Sequence, residues 1–177
     1  MPSQARLLKS KTVYRGKILQ VKLDTIVEPG DIRATREVVE HAGSVVILPY
    51  LANQRIIIVR QYRYPARQAL WELVAGSMEP GESVIRAARR ELLEETGYRA
   101  RSMKPLVSFY SSPGFLTERM HLVEARDLTF SKADPEADER IEVKAFSKAE
   151  IRKLLRAKKI KDGKTLVGLL WGTLART

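Results

Sequence analysis

The stretch Gly76–Tyr98 reads "GSMEPGESVIRAARRELLEETGY". Val84, Ile85, Ala88 and Leu92 fall on one side at helical spacing. Ser83 is placed to cap the start and Gly97 to stop the end, which predicts a helix over about Val84–Thr96. Glu91, Glu94 and Glu95 then crowd its last turns. Carboxylates there oppose the helix macrodipole, at a cost of roughly 0.3–1 kcal/mol each. Glu91 and Glu95 are also a like-charge i,i+4 pair, costing a few tenths more. At 3.6 residues per turn all three acids fit within one arc of about 100°, beside the buried stripe. A divalent cation would remove the conflict. Oxygen donors suit hard ions such as Mg²⁺ or Mn²⁺, and the C-terminal dipole would help to hold one. The plainer alternative is an exposed Glu-rich helix, partly paired with Arg86, Arg89 or Arg90.

Around this helix the chain alternates strand and helix patterns. "KILQVKLDTIV" alternates apolar and polar residues over Ile18–Val27, "EPGD" reads as a turn, and "ATREVVEHAG" as a second strand. "SVVILPYL" and "RIIIVRQY" are continuous β-branched runs, read as core strands joined by a turn at Ala52–Gln54. "LWELVAG" reads as one short strand ending at Gly76. "SMKPLVSFY", "RMHLVEA" and "IEVKAF" are further strands. Ser147 and Glu150 form a capping box for a helix carrying Ile151, Leu154 and Leu155, and "KTLVGLLWGTLA" predicts a terminal apolar helix. This order argues for an α/β or α+β domain with helices packed on a mixed sheet.

The chain has 177 residues, 44% hydrophobic and 30% charged, ordinary for one globular domain. It contains no cysteine, which excludes disulfides, thiolate metal sites and cysteine nucleophiles. No apolar leader or membrane-length run is present, so a soluble cytoplasmic protein is expected. The net charge is +11, with nine Lys or Arg from Lys148 onward against Glu150 and Asp162. That balance reads either as a solvated basic surface or as a nucleic-acid or small-anion surface. The absence of interleaved aromatics weakens the nucleic-acid reading.

The stretch from Gly76 also fits a longer pattern: Gly, five residues, Glu, seven residues, then R-E-U-x-E-E-x-G-U with U bulky and apolar. Gly76, Glu82, Arg90, Glu91, Leu92, Glu94, Glu95 and Gly97 all match; Tyr98 is aromatic where an aliphatic residue is commoner. This resembles the Nudix box of the Nudix hydrolases. The resemblance implies an α/β Nudix fold, a mixed β-sheet sandwiched between helices, with residues 1–42 as a dimer-forming N-terminal β extension and 43–177 as the hydrolase domain. It implies a loop-helix-loop that binds Mg²⁺ and a diphosphate. Glu91 and Glu95 become the principal metal ligands, Glu94 a further ligand or catalytic helper, and the Ala75 carbonyl another ligand. Glu82 becomes a loop-orienting or outer ligand, and Arg90 a structural residue that holds a glutamate.

Pro113 stands 16 residues after Gly97 in "SSPGF". With "RQYRYP" and "WELVAG" it resembles the ADP-ribose pyrophosphatase subgroup, over about Val13–Trp171. That implies hydrolysis of ADP-ribose to AMP and ribose 5-phosphate; GDP-mannose or another nucleoside diphosphate sugar is the alternative substrate. Related enzymes carry a general base on a mobile loop, which Glu139 matches best, with Glu136 and Asp138 as rivals. Arg63 would bind the diphosphate. Arg36 would reach a phosphate or ribose, and the homodimer's exchanged N-terminal strands would help form the nucleobase site. Tyr14 or Phe115 could stack on a base. Trp71 and Trp171 read as core or dimer contacts, and His41 and His121 as structural.

Overall fold

The structure, a computed structural model, describes residues 4–132 and 140–174. Glu136, Asp138 and Glu139 lie outside the described residues. The chain divides into two compact units, residues 1–43 with 110–119, and residues 44–109 with 120–177.

The first unit is a three-stranded antiparallel sheet of β1 (Arg6–Arg15), β2 (Leu19–Glu28) and β3 (Ile32–His41). Residues Arg6–Arg15 thus make a full strand. The β2–β3 register runs unbroken from Leu19↔His41 to Glu28↔Ile32. The turn is closed by Gly30 and Asp31, both with positive φ, as "EPGD" foretells. Cross-strand ion pairs join Lys22 to Glu40 at 2.6 Å and Arg36 to Glu28 at 2.8 Å. Phe115–Thr117 lies along β3, with Val39 N–H donating to Phe115 O and Thr117 N–H to Val39 O.

The second unit holds two sheets. The four-stranded one runs β7 (Ala75–Ser77), β4 (Ser44–Pro49), β9 (Arg119–Phe130), β8 (Tyr98–Tyr110); β4 is parallel to β9 and antiparallel to β7. The other is antiparallel, β10 (Ile141–Phe146), β5 (Ile56–Arg63), β6 (Gln68–Glu72). The helices are α1 (Val84–Thr96), α2 (Lys148–Arg156) and α3 (Gly163–Leu174).

Every residue of β4 is buried because helices cover both of its faces. Val45 and Ile47 share a core with Ala87, Ala88 and Leu92 of α1. Val46 and Leu48 share the other with Ile151 of α2 and Leu169 of α3. Alternation along the strand splits one continuous apolar run between two helical layers. Each fully buried aliphatic side chain contributes about 1.5–3 kcal/mol. On the far layer Gly168 and Gly172 let α3 approach closely, since a methyl group there would meet Leu73 at 2.4 Å and Leu48 at 2.6 Å. Trp71 packs edge-on to Phe146 against this core, whereas Trp171 is exposed.

The two β-branched runs are core strands joined by a turn at Ala52–Gln54, as expected, although they enter different sheets, with a Tyr50↔Ile56 bridge beside the turn. Two other strand readings need correction. "LWELVAG" is two strands, because the chain crosses from one sheet to the other at Leu73–Val74. There Leu73 N–H donates to Thr165 Oγ1 at 2.7 Å and Val74 O accepts from Ile47 N–H. β8 and β9 run longer than their apolar cores suggest. Ser131 N–H bonds Gly97 O and Tyr98 packs on Phe130, which holds the two strands together to that end.

Candidate active site

Helix α1 forms as its sequence dictates. Ser83 Oγ accepts from Arg86 N–H, and Gly97 takes φ 74° with its N–H on Leu93 O. The helix buries Ala87, Ala88 and Leu92, and also Glu91 and Glu95. Glu91 and Glu95 are only 9% and 6% exposed. The reading of these acids as an exposed, Glu-rich face is therefore set aside for those two.

The glycine at position 76 explains how Glu91 fits. A Cβ there would lie 2.0 Å from the Glu91 carboxyl carbon. The carboxylate rests on the bare backbone of β7, next to Ala75, and only glycine leaves that cradle open.

Arg90 organises the acids around it. Its guanidinium donates to Glu91 Oε1 at 2.7 Å, to Glu94 Oε2 at 3.2 Å, to both oxygens of Glu82 at 3.0 and 3.3 Å, and to Ser77 O at 3.0 Å. Glu82 also accepts the Glu79 N–H. Arg90 thereby ties the loop before α1 to the helix. Its hydrogen bond holds the Glu82 carboxyl below the usual carboxylate range. Glu82 in turn, then Glu91, raises Arg90 above the ordinary arginine value.

A hard divalent cation suits this place. The donors are all oxygen, α1 has no basic residue in its last turn, and a glycine cradle brings Glu91 against β7. Glu91, Glu95, Glu94 and the Ala75 carbonyl are the groups that could hold it. Among the described residues no three acidic or histidine side chains already converge into a cage. Arg90 takes oxygens of Glu91 and Glu94 that a cation would share.

Beside these acids lies a second charged cluster that sequence reading missed. Glu72, 1% exposed, ends β6. Arg63 grips it with two parallel bonds, Nε to Oε1 and Nη2 to Oε2, both 2.9 Å. Lys164 Nζ reaches Glu72 Oε2 at 2.5 Å and Asp162 Oδ1 at 2.9 Å. Asp162 Oδ2 accepts from Thr165 N–H and Oγ1–H, which caps α3. Burial pushes the Glu72 carboxyl up, but the Arg63 hydrogen bond and the Lys164 charge outweigh it, so the group sits below its ordinary value. Arg63 is raised by its bond to Glu72, and the Glu95 and Asp162 charges act in the same direction. Lys164 is therefore not part of a solvated basic tail; its side chain is 12% exposed. The only sequence cue was an Asp three residues before a Thr at a helix start, and its partners stand 92 residues away.

Arg63 thus spends its bidentate edge on Glu72. Among the described residues no hydrogen bond occupies Nη1, and the side chain is 39% exposed. Arg36 and Pro113 belong to the other unit. Arg36 is exposed and bonded to Glu28 Oε1 and Thr35 O, and Pro113 is exposed. His41 Nδ1 accepts Gly43 N–H, and His121 Nδ1 pairs with Ser108 Oγ at 2.8 Å.

A family model described as the NUDIX domain matches residues 40–166. The chain is 32% identical to a methanol dehydrogenase activator of Bacillus methanolicus, with 94% of this chain and 91% of that protein aligned. It is also 32% identical to an ADP-ribose pyrophosphatase of Bacillus subtilis, over 92% and 89% of the two chains. A crystal structure of an ADP compounds hydrolase superposes with a TM-score of 0.86 at 23% identity, covering 98% of this chain and 94% of that one. That likeness concerns the fold, the mixed sheet between helices expected from the sequence. The family model spans well over half of the chain, and the chain belongs to the Nudix family.

Proposed function

We propose that the protein is a divalent-metal-dependent pyrophosphatase of nucleoside diphosphate sugars, and that it cleaves ADP-ribose to AMP and ribose 5-phosphate. The observation that carries this reading is the pair of buried carboxylates, Glu91 and Glu95, at the helix end where charge physics disfavours them. The likeness to an ADP-ribose pyrophosphatase along nearly the whole chain supports the substrate.

In this reading Glu91 and Glu95 hold Mg²⁺ or Mn²⁺, with Glu94 and the Ala75 carbonyl as further donors. The ion, when bound, supplies charge neutralisation for the diphosphate oxygens and for the leaving phosphate. Arg63 offers Nη1 to one diphosphate oxygen while Glu72 fixes its other edge. Water adds to one phosphorus, the bridging P–O bond breaks, and Glu139 takes the water's proton. Glu94 assists by holding Arg90 and, through it, Glu91. The N-terminal unit serves a homodimer, with Arg36 reaching a phosphate or ribose of the substrate and Pro113 a further substrate-binding residue. The exposed Leu7, Leu8, Val13 and Tyr14 of β1 support such pairing. Among the described residues no helix is long and apolar enough to cross a membrane, which accords with a cytoplasmic enzyme.

The test is incubation with a panel of nucleoside diphosphate sugars and Mg²⁺, with products identified. ADP-ribose is expected to give AMP and ribose 5-phosphate at the highest kcat/KM. Faster turnover of GDP-mannose would reassign the substrate. No turnover of any member, with tight and steeply salt-dependent RNA or DNA binding instead, would overturn the hydrolase reading. Glu139→Gln is expected to lower kcat far more than affinity.

A further inference from the structure

The charged cluster at Glu72 has a shape that a purely structural ion pair does not need. A buried carboxylate with one arginine on its bidentate edge is already well paired. Here a second cation, Lys164, closes the same oxygen that Arg63 Nη2 holds, at 2.5 Å against 2.9 Å. Lys164 is itself held by Asp162, which also caps α3 and orients Thr165. Thr165 then receives the Leu73 N–H. Glu72 and Leu73 are adjacent, and Ala75 and Gly76 follow at once. One segment of α3 therefore fixes both the arginine's anchor and the strand that leads into the carboxylate cradle.

The consequence for Arg63 is directional. Its Nε and one Nη2 N–H are held by Glu72, so the donors left are those of Nη1 and the outer Nη2 N–H, on a side chain that remains partly exposed. Without Lys164, the Glu72 carboxylate loses the cation that separates it from Asp162, the two like charges repel, and Glu72 turns away with the arginine that grips it. A guanidinium that must meet a diphosphate oxygen at hydrogen-bond distance loses binding when its anchor swings by even an ångström.

We propose that Lys164, acting through Glu72, is a positioning residue that sets the Arg63 guanidinium for the substrate diphosphate. This rests on the hydrolase reading above. Lys164 does not touch substrate. Its effect is on the binding donated by Arg63, so it appears in KM more than in kcat.

The experiment measures kcat, KM for ADP-ribose with Mg²⁺, and Tm, for the full chain and for Lys164→Met, Lys164→Arg, Arg63→Ala and the Arg63→Ala/Lys164→Met double variant. Lys161→Met, which alters an exposed lysine bonded to Gln68, is the control. Lys164→Met is expected to raise KM about tenfold with kcat within about threefold of wild type. Lys164→Arg should recover most of that loss. In the Arg63→Ala background Lys164→Met should add nothing further, because the group it positions is gone. Lys161→Met should match wild type. If Lys164→Met fails to fold, Lys164→Gln, which removes the charge but keeps a donor for Glu72, takes its place, with KM expected to rise above that of Lys164→Arg and an unchanged KM overturning the inference. A lowered Tm with unchanged KM, or losses that multiply in the double variant, would overturn the inference while leaving the hydrolase reading intact. No turnover by the wild-type chain would overturn that reading, and this inference with it.

Discussion

Helices α1 and α2 arrange their charges in opposite ways. In α2 a capping box joins Ser147 and Glu150, the acid lies in the first turn, and Lys153 and Arg156 lie in the last. Each charge agrees with the macrodipole. Helix α1 has no acid in its first turn and no base in its last, and it carries three glutamates toward its C-terminal end. Its stability comes from elsewhere. It buries six residues, including Leu92 with no exposed surface, whereas α2 buries only Ile151. One helix is held by local chemistry. The other is held by packing, and so can carry an unfavourable charge pattern at the site we propose for a cation. Local rules broken under strong tertiary support mark function.

The sharpest way to break this contrast is at Glu95. Glu95→Gln should reduce turnover on the order of 10²–10³-fold or more, the scale for losing a group that stabilises transition-state charge. The far-UV spectrum should not change. Persisting wild-type activity in the presence of Mg²⁺ would make α1 an ordinary Glu-rich helix.

Next in size is Arg90→Met, which leaves Glu82, Glu91 and Glu94 without their shared partner. We expect a loss of about 2–3 kcal/mol, below the full cost of breaking a buried pair because Arg90 is a quarter exposed. This variant also tests pH dependence. Glu82 and Glu72 are held below the ordinary value of 4.5 in the fold. Their stabilisation is therefore full above that value and is lost as pH falls through the lower folded one. Wild-type Tm should drop as pH falls below about 4.5, and in Arg90→Met part of that drop should vanish because Glu82 loses the hydrogen bond that does most to hold it low.

Gly76→Ala comes third. The added methyl must displace Glu91, so metal-dependent activity should fall about 10–100-fold, as for the loss of a group that orients a ligand. The equivalent insult to α2, Ser147→Ala, should cost only about 1 kcal/mol of stability and leave kcat/KM unchanged. If the α2 change altered catalysis as much as the α1 change, the division between a stabilising and a functional helix would fail.

Much of α1 was legible in the chain itself. Its caps, its length, its apolar face and its three glutamates are all local features, set by residues within one or two turns of each other. β4 was equally legible as a core strand, since a run apolar at every position needs cover on both faces. What local pattern could not supply was partnership. Nothing in "LWELVAG" says that the strand changes sheets halfway, because the cause is Thr165 on a helix near the other end of the chain. Glu72 read as one polar letter in an apolar run, and Lys164 as one more charge in a basic tail. Each acquires meaning only from the other. Arg63 was legible as a diphosphate group by resemblance, but not the fact that its bidentate edge is already taken. Arg36 and Pro113 rest on resemblance as well, and both lie in the N-terminal unit.

The central claim is that the α1 glutamates are misplaced only without a cation. Thermal unfolding of wild type and Glu95→Gln across a Mg²⁺ titration, beginning in chelator, tests it most directly. Wild-type Tm should climb with Mg²⁺, toward about 2.7 kcal/mol of added stability at a hundred times Kd. Glu95→Gln should begin at or above wild type in chelator, relieved of a buried like charge, and then stay flat. Equal rises in the two proteins, or no rise in wild type, would contradict the account.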